Sequence, residues 1–141
     1  MLGGRKYPVI YADPPWKFAA YSAKGEGRSA LAHYDCMTLD DLFALPVREI
    51  AADDCTLFLW TTDPFLQMGI NLAASWGFQF KTVAFYWAKL NKSANGNSFS
   101  ERDFFTGLGY WTRANVEPCL LTTRGNPKCP TQNRIGCIML A

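Results

Sequence analysis

The chain has 141 residues, of which 49% are hydrophobic and 15% aromatic, and its formal net charge is +2. That length suits a single domain with a real core, and that composition excludes an intrinsically disordered chain. One histidine, no C-x-x-C pair among five cysteines and no long apolar run argue against zinc and against a segment of the ~18 residues that would span a membrane.

In chain order, Tyr7 to Ala12 (YPVIYA) reads as a buried strand: short, β-branched and aromatic, then stopped by proline. Asp13-Pro14-Pro15-Trp16 follows, and then a long polar stretch, Lys17 to Ala32, with the look of a functional loop. Thr38 with Asp41 three residues on predicts a capping box opening a helix through Leu45. A short turn leads to a second strand, Cys55 to Trp60. Asp63-Pro64 predicts a helix start, with the helix running through Trp76 and closing at Gly77.

A third strand is expected over Phe80 to Ala88, then a polar loop from Leu90 to Gly107. Gly107-Leu108-Gly109 lacks a third glycine and a following helix, so it reads as a turn and not as a dinucleotide fingerprint. Pro118 to Thr123 reads as a fourth strand and Gly136 to Leu140 as the start of another. Strand–helix alternation predicts an α/β sheet with parallel pairs. No repeat or linker divides the chain, so residues 1–141 form one domain.

Asp13-Pro14-Pro15-Trp16 is where chemistry is concentrated. Ligands of open α/β sheets bind beyond the carboxyl ends of strands. An ionised Asp13 only accepts hydrogen bonds, and Pro14 and Pro15 have no N–H, so the stretch is rich in acceptors. Trp16 adds a flat face for stacking. This set suits a planar ring bearing an amino group, adenine above all. The bland alternative is a proline turn with Trp16 in the core. The charge distribution adds a little: residues 1–88 carry a balance of −2 and residues 89–141 a balance of +4. A basic second half suits a phosphate backbone, or is ordinary solvated surface.

YADPPW resembles the catalytic motif of amino-group methyltransferases that use S-adenosylmethionine (SAM), and the chain is similar to the MT-A70 family of N6-adenine methyltransferases. The resemblance continues through HYDCMTLDDL (33–42), LPV (45–47), LFLW (57–60), WGF (76–78), FYWAK (85–89), GYW (109–111) and EPCLLTTRGNP (117–127), so it covers about residues 7 to 127. It implies a Rossmann-like, mostly parallel sheet flanked by helices, SAM as cofactor with Asp13 beside it, and methylation of adenine N6 in nucleic acid, DNA rather than RNA. Asp13 and the Pro14 carbonyl would accept the two amino N–H bonds, with Pro15 shaping the motif and Trp16 stacking on the ring. Tyr34 would flank the pocket. Trp60 and Trp87 would line it, or serve as plain core. Lys89 would meet phosphate, or simply be solvated. His33 reads as a loop residue and not as a general base.

Relatives continue beyond the point reached by Ala141, so the resemblance also implies a domain incomplete at its C-terminus. An exposed sheet edge open to a protein partner is then expected, and the alternative function is a catalytically inactive binding or partner fragment. The odd cysteine count and lack of a signal peptide predict a cytoplasmic location, and the single histidine without a C-x-x-C predicts no metal.

Overall fold

A computed structural model describes residues 4–16, 37–94, 96, 99–107, 109, 111–129 and 135–141. In chain order these form β1 (Tyr7–Ala12), α1 (Leu39–Ala44), α2 (Val47–Ile50), β2 (Ala51–Trp60), a 3-10 turn (Asp63–Phe65), α3 (Leu66–Ser75), β3 (Gln79–Ala88), a second 3-10 turn (Glu101–Asp103), β4 (Val116–Arg124) and β5 (Ile138–Leu140). The five strands make one sheet in the order β1-β2-β4-β3-β5.

The sheet is mixed, which corrects the expectation of a mostly parallel one. β1 pairs parallel with β2 and β3 parallel with β5, but β4 runs antiparallel to both β2 and β3. Side-chain alternation reveals a strand and its faces but carries no information on direction, so the reversal of β4 had no local signature. One consequence matters for the site. An antiparallel β4 begins where β2 and β3 end, and Trp60 pairs with Cys119 and Trp87 with Glu117. The opening residues of β4 therefore join the carboxyl ends of β1, β2 and β3.

The core lies on one face of the sheet. Cys55, Leu57 and Leu59 alternate inward along β2 and meet Leu120 of β4, all fully buried. α3 presents Gly69, Leu72 and Ala73, the i, i+3, i+4 stripe of an amphipathic helix. Gly69 allows close approach: a Cβ there would stand 3.3 Å from both Leu120 and Thr61. Trp76 Nε1 donates to the Leu42 carbonyl at 3.0 Å, tying α1 under the same face. The opposite face carries Val9 in register with Thr56 and Tyr11 in register with Phe58, with Val9 and Tyr11 exposed.

Several boundaries shift from expectation. Thr38 caps α1 by accepting from the Asp41 N–H at 3.1 Å. The Asp41 carboxylate takes the Thr38 hydroxyl at 2.6 Å, so only the forward half of the box is present. A complete box, Ser100 with Asp103, closes the turn in the loop before β4. The short turn before β2 is instead the helical turn α2, and β2 starts at Ala51, with Asp53 and Asp54 exposed along it. Asp63-Pro64 opens a 3-10 turn rather than the α-helix itself, and Thr62 occupies the cap position. Gly77, at φ +89°, ends α3 as expected, its N–H donating to Ala74 at 2.9 Å. No described helix is long and apolar enough to cross a membrane, and the described residues hold no cluster of three or more His, Cys, Asp or Glu suited to a metal.

Candidate active site

The motif leaves β1 as a tight, self-bonded turn. Trp16 N–H donates to the Pro14 carbonyl at 2.8 Å, and Met37 N–H to the Pro15 carbonyl at 3.2 Å. Each carbonyl oxygen has a second lone pair, so Pro14 can still accept from a ligand. Pro14 and Pro15 contribute no N–H to this turn, and Asp13 is its only ionisable side chain.

Trp16 departs from the expectation of a stacking face for the target ring. It is 4% exposed and its ring lies against Phe65 at 5.3 Å and 27°. Its Nε1 donates to the Trp60 carbonyl at 3.2 Å. The physical reason is local: the turn at Pro14–Trp16 folds the indole back toward the core side of the sheet, where it joins Leu42, Leu57 and Leu59. Trp16 thus locks the end of β1 to the end of β2. The bland alternative, core tryptophan, is the arrangement seen.

Trp60 and Trp87 do come together. Their rings meet edge to face at 6.2 Å and 71°, as two strands of the same direction on either side of β4 allow. Tyr11 closes the row from β1, edge to face with Trp60 at 6.5 Å, and its hydroxyl accepts from Trp60 Nε1 at 2.6 Å. Trp87 Nε1 is buried with no hydrogen-bond partner among the described residues. Lys89 is neither a plain solvated lysine nor an unpaired cation: its ammonium sits 4.6 Å over the Trp87 ring and 2.5 Å from Glu117 Oε1.

The electrostatics link these groups to Asp13. Burial of its carboxyl, first, and the negative charge of Glu117, second, push the Asp13 pKa above its ordinary 3.8, while the Lys89 ammonium works the other way. Cys119, paired in register with Trp60 and Phe85, is pushed up to about 11 by burial and by the Asp13 charge. Its thiol is therefore neutral at physiological pH and acts as apolar floor. Tyr34 lies outside the described residues, as does His33.

Glu117 and Tyr11 were not assigned a role from sequence. Each had a signal: a carboxylate opening an otherwise apolar strand, and a tyrosine two residues ahead of Asp13 on the face opposite to Ala12. Both stand inside segments that carry the resemblance, EPCLLTTRGNP and YADPPW.

Chemically, the assembly offers two carboxylates against one ammonium, beside an edge-to-face aromatic row. Asp13 is left with the unmatched negative charge. The site's carboxylates and the Pro14 carbonyl accept hydrogen bonds, and its aromatic faces can stack.

Residues 7–137 match the profile of the MT-A70 family. The type II methyltransferase M.MunI of Mycoplasma sp is 39% identical over 73% of this chain and 51% of its own length. The N(6)-adenosine-methyltransferase subunit METTL3 of Danio rerio is 29% identical over 87% of the chain and 18% of its own length. The non-catalytic subunit MTB of Arabidopsis thaliana is 30% identical over 95% of the chain and 16% of its own length. The chain thus spans about half of M.MunI and under a fifth of the other two. With the motif, its strand and the segments of β2, β3 and β4 all inside the matched range, the chain belongs to the MT-A70 family.

Proposed function

We propose that this chain carries the acceptor side of a SAM-dependent methyltransferase acting on the N6 amino group of adenine in nucleic acid, with DNA preferred over RNA. The observation that carries this reading is the Asp13 carboxylate at the end of β1, coupled to Glu117 and Lys89 beside the Tyr11–Trp60–Trp87 row. Adenine's amino lone pair is conjugated with its ring. Hydrogen bonds from both N–H groups to Asp13 and to the Pro14 carbonyl would draw that nitrogen toward tetrahedral geometry and free the pair. Positive charge then grows on nitrogen, and a fixed carboxylate has the right sign to favour it.

The residues fit the cofactor by charge: one net negative charge remains after Lys89 and Glu117 pair, which suits a cationic donor, and Asp13 would lie beside it. When bound, SAM supplies an electrophilic methyl group. What this chain contributes is alignment, which can be worth roughly 7–11 kcal/mol. A base within a duplex must be flipped out to reach Asp13. Trp60 and Trp87 would hold the ring, Tyr34 would flank it, and Lys89, released from Glu117, would meet phosphate.

The DNA preference is supported by the 39% identity to a type II methyltransferase against 29% for the METTL3 subunit. The second reading, an inactive partner fragment, has the match to a non-catalytic subunit in its favour. The exposed β5 edge, Ile138, Met139 and Leu140, is where a protein partner would add.

Methyl transfer from labelled SAM to adenine-containing single-stranded and duplex oligonucleotides tests the reading. Asp13→Ala is expected to lower transfer by about 100-fold or more. Equal incorporation by wild type and variant would sink the role of Asp13. No transfer and no SAM binding by calorimetry would favour the inactive fragment.

A further inference from the structure

Trp60 is held from two sides, by Trp16 and by Tyr11. Its main-chain carbonyl accepts from Trp16 Nε1 at 3.2 Å, which fixes the backbone at the end of β2. Its indole is fixed by another residue: Nε1 donates to the Tyr11 hydroxyl at 2.6 Å. Tyr11 pairs directly with Phe58, not with Trp60. It reaches Trp60 along the strand diagonal, within range of an aromatic side chain.

This contact is not core packing. Tyr11 is 70% exposed, on the face opposite Leu57 and Leu59. A tyrosine there adds little to the core, and water could satisfy both polar partners. What the contact does is orientation. With its Nε1–H directed at Tyr11, Trp60 meets Trp87 edge to face at 6.2 Å and 71°. The Trp87 indole N–H has no hydrogen-bond partner among the described residues. Its indole is set by Trp60 on one side and the Lys89 ammonium, 4.6 Å from its ring, on the other. Order is passed along the row from Tyr11 to Trp60 to Trp87.

We infer that Tyr11 is the positioning residue of the site: its hydroxyl sets the plane of Trp60, and through it Trp87, and so the surface against which the acceptor ring is bound. The consequence for substrate rests on the proposed function; the contact itself does not. Tyr11 touches neither the amino group nor the methyl donor. Its loss therefore weakens ring binding in ground and transition states alike, which raises KM and leaves kcat unchanged.

Tyr11→Phe keeps the ring and removes only the acceptor. The first readout is the Trp60 indole N–H in a 15N-correlated NMR spectrum of the protein without ligand, identified by its absence in Trp60→Phe. It is expected to shift and to exchange faster with solvent in Tyr11→Phe. The second is steady-state transfer to an adenine oligonucleotide. KM is expected to rise about three- to tenfold, with kcat and the urea unfolding midpoint unchanged. In a Trp60→Phe background, which has no N–H to orient, Tyr11→Phe is expected to add nothing.

An unmoved indole signal overturns the inference. So does an unchanged KM, or a KM increase of the same size in both backgrounds, which would mean that Tyr11 acts without Trp60. A fall in kcat at constant KM also overturns it, marking a loss of active molecules. If the wild type transfers no methyl to adenine, the proposed function falls instead, and the indole signal alone decides for or against Tyr11.

Discussion

Whether Trp16 serves the fold or the substrate can be decided by one substitution series. The side chain is 4% exposed, stacks on Phe65 and donates to the Trp60 carbonyl. Truncating a buried tryptophan to alanine costs about 3–5 kcal/mol, from lost transfer energy and the cavity left behind. Against a total of about 5–15 kcal/mol for a domain, that is a large share. With a urea slope of about 1–3 kcal/mol/M, Trp16→Ala should lower the unfolding midpoint on the order of 2 M. Trp16→Phe keeps a ring against Phe65 but orphans the Trp60 carbonyl, and should cost about 1–3 kcal/mol. A double-mutant cycle with Phe65→Ala should return a coupling of about 0.5–1.5 kcal/mol for the stacked pair. Urea titration followed by far-ultraviolet circular dichroism measures all five proteins. If Trp16→Ala unfolds at the wild-type midpoint yet loses oligonucleotide binding, the indole faces substrate and the structural assignment is wrong.

Two more outcomes follow from the charges around Asp13. Its ionised form is the hydrogen-bond acceptor, so transfer should fall as pH drops through its raised pKa. Removing the ammonium in Lys89→Met should move that acid limb to higher pH, and Glu117→Gln should move it lower, because Lys89 lowers and Glu117 raises the Asp13 pKa; a pH–rate profile with both variants shifting the same way would refute the arrangement. With both partners of the Lys89–Glu117 pair about a third exposed, neither change should alter stability by more than about 1 kcal/mol. Among the described cysteines, Cys129 and Cys137 are exposed while Cys55 and Cys119 are buried. A thiol-specific disulfide reagent should therefore label the first two in the native protein and Cys119, held up to about 11, only after denaturation; rapid native labelling at Cys119 would place it outside the floor of the site.

Much of the fold was legible because its signals are local. YPVIYA stops at proline and forms β1. Thr38 and Asp41 cap α1, and Gly77 closes α3. Trp60 and Trp87 were expected at one sheet edge, and their rings do meet. The misses have a common cause. The helical turn Val47–Ile50 and the early start of β2 at Ala51 put exposed Asp53 and Asp54 into a strand, in the irregular stretch between the Tyr7–Ala51 and Val9–Thr56 pairs, where local propensity does not announce a strand. Trp16 packs on Phe65 in the core, which the motif did not disclose because it names residue types and not the direction in which a turn points them.

The sequence by itself determined the position of the acidic motif, the apolar stripes that bury one face of the sheet, and the membership of a family, because each is written in residue order and short-range periodicity. Only the tertiary structure decided which way β4 runs. That direction is a matter of long-range pairing, and the chemistry of the site depends on it. Nine residues of β4 cover about 30 Å at 3.3 Å each, so a parallel β4 would have carried Glu117 to the far edge of the sheet. Antiparallel pairing instead sets it opposite Trp87, against Lys89, where its charge acts on Asp13.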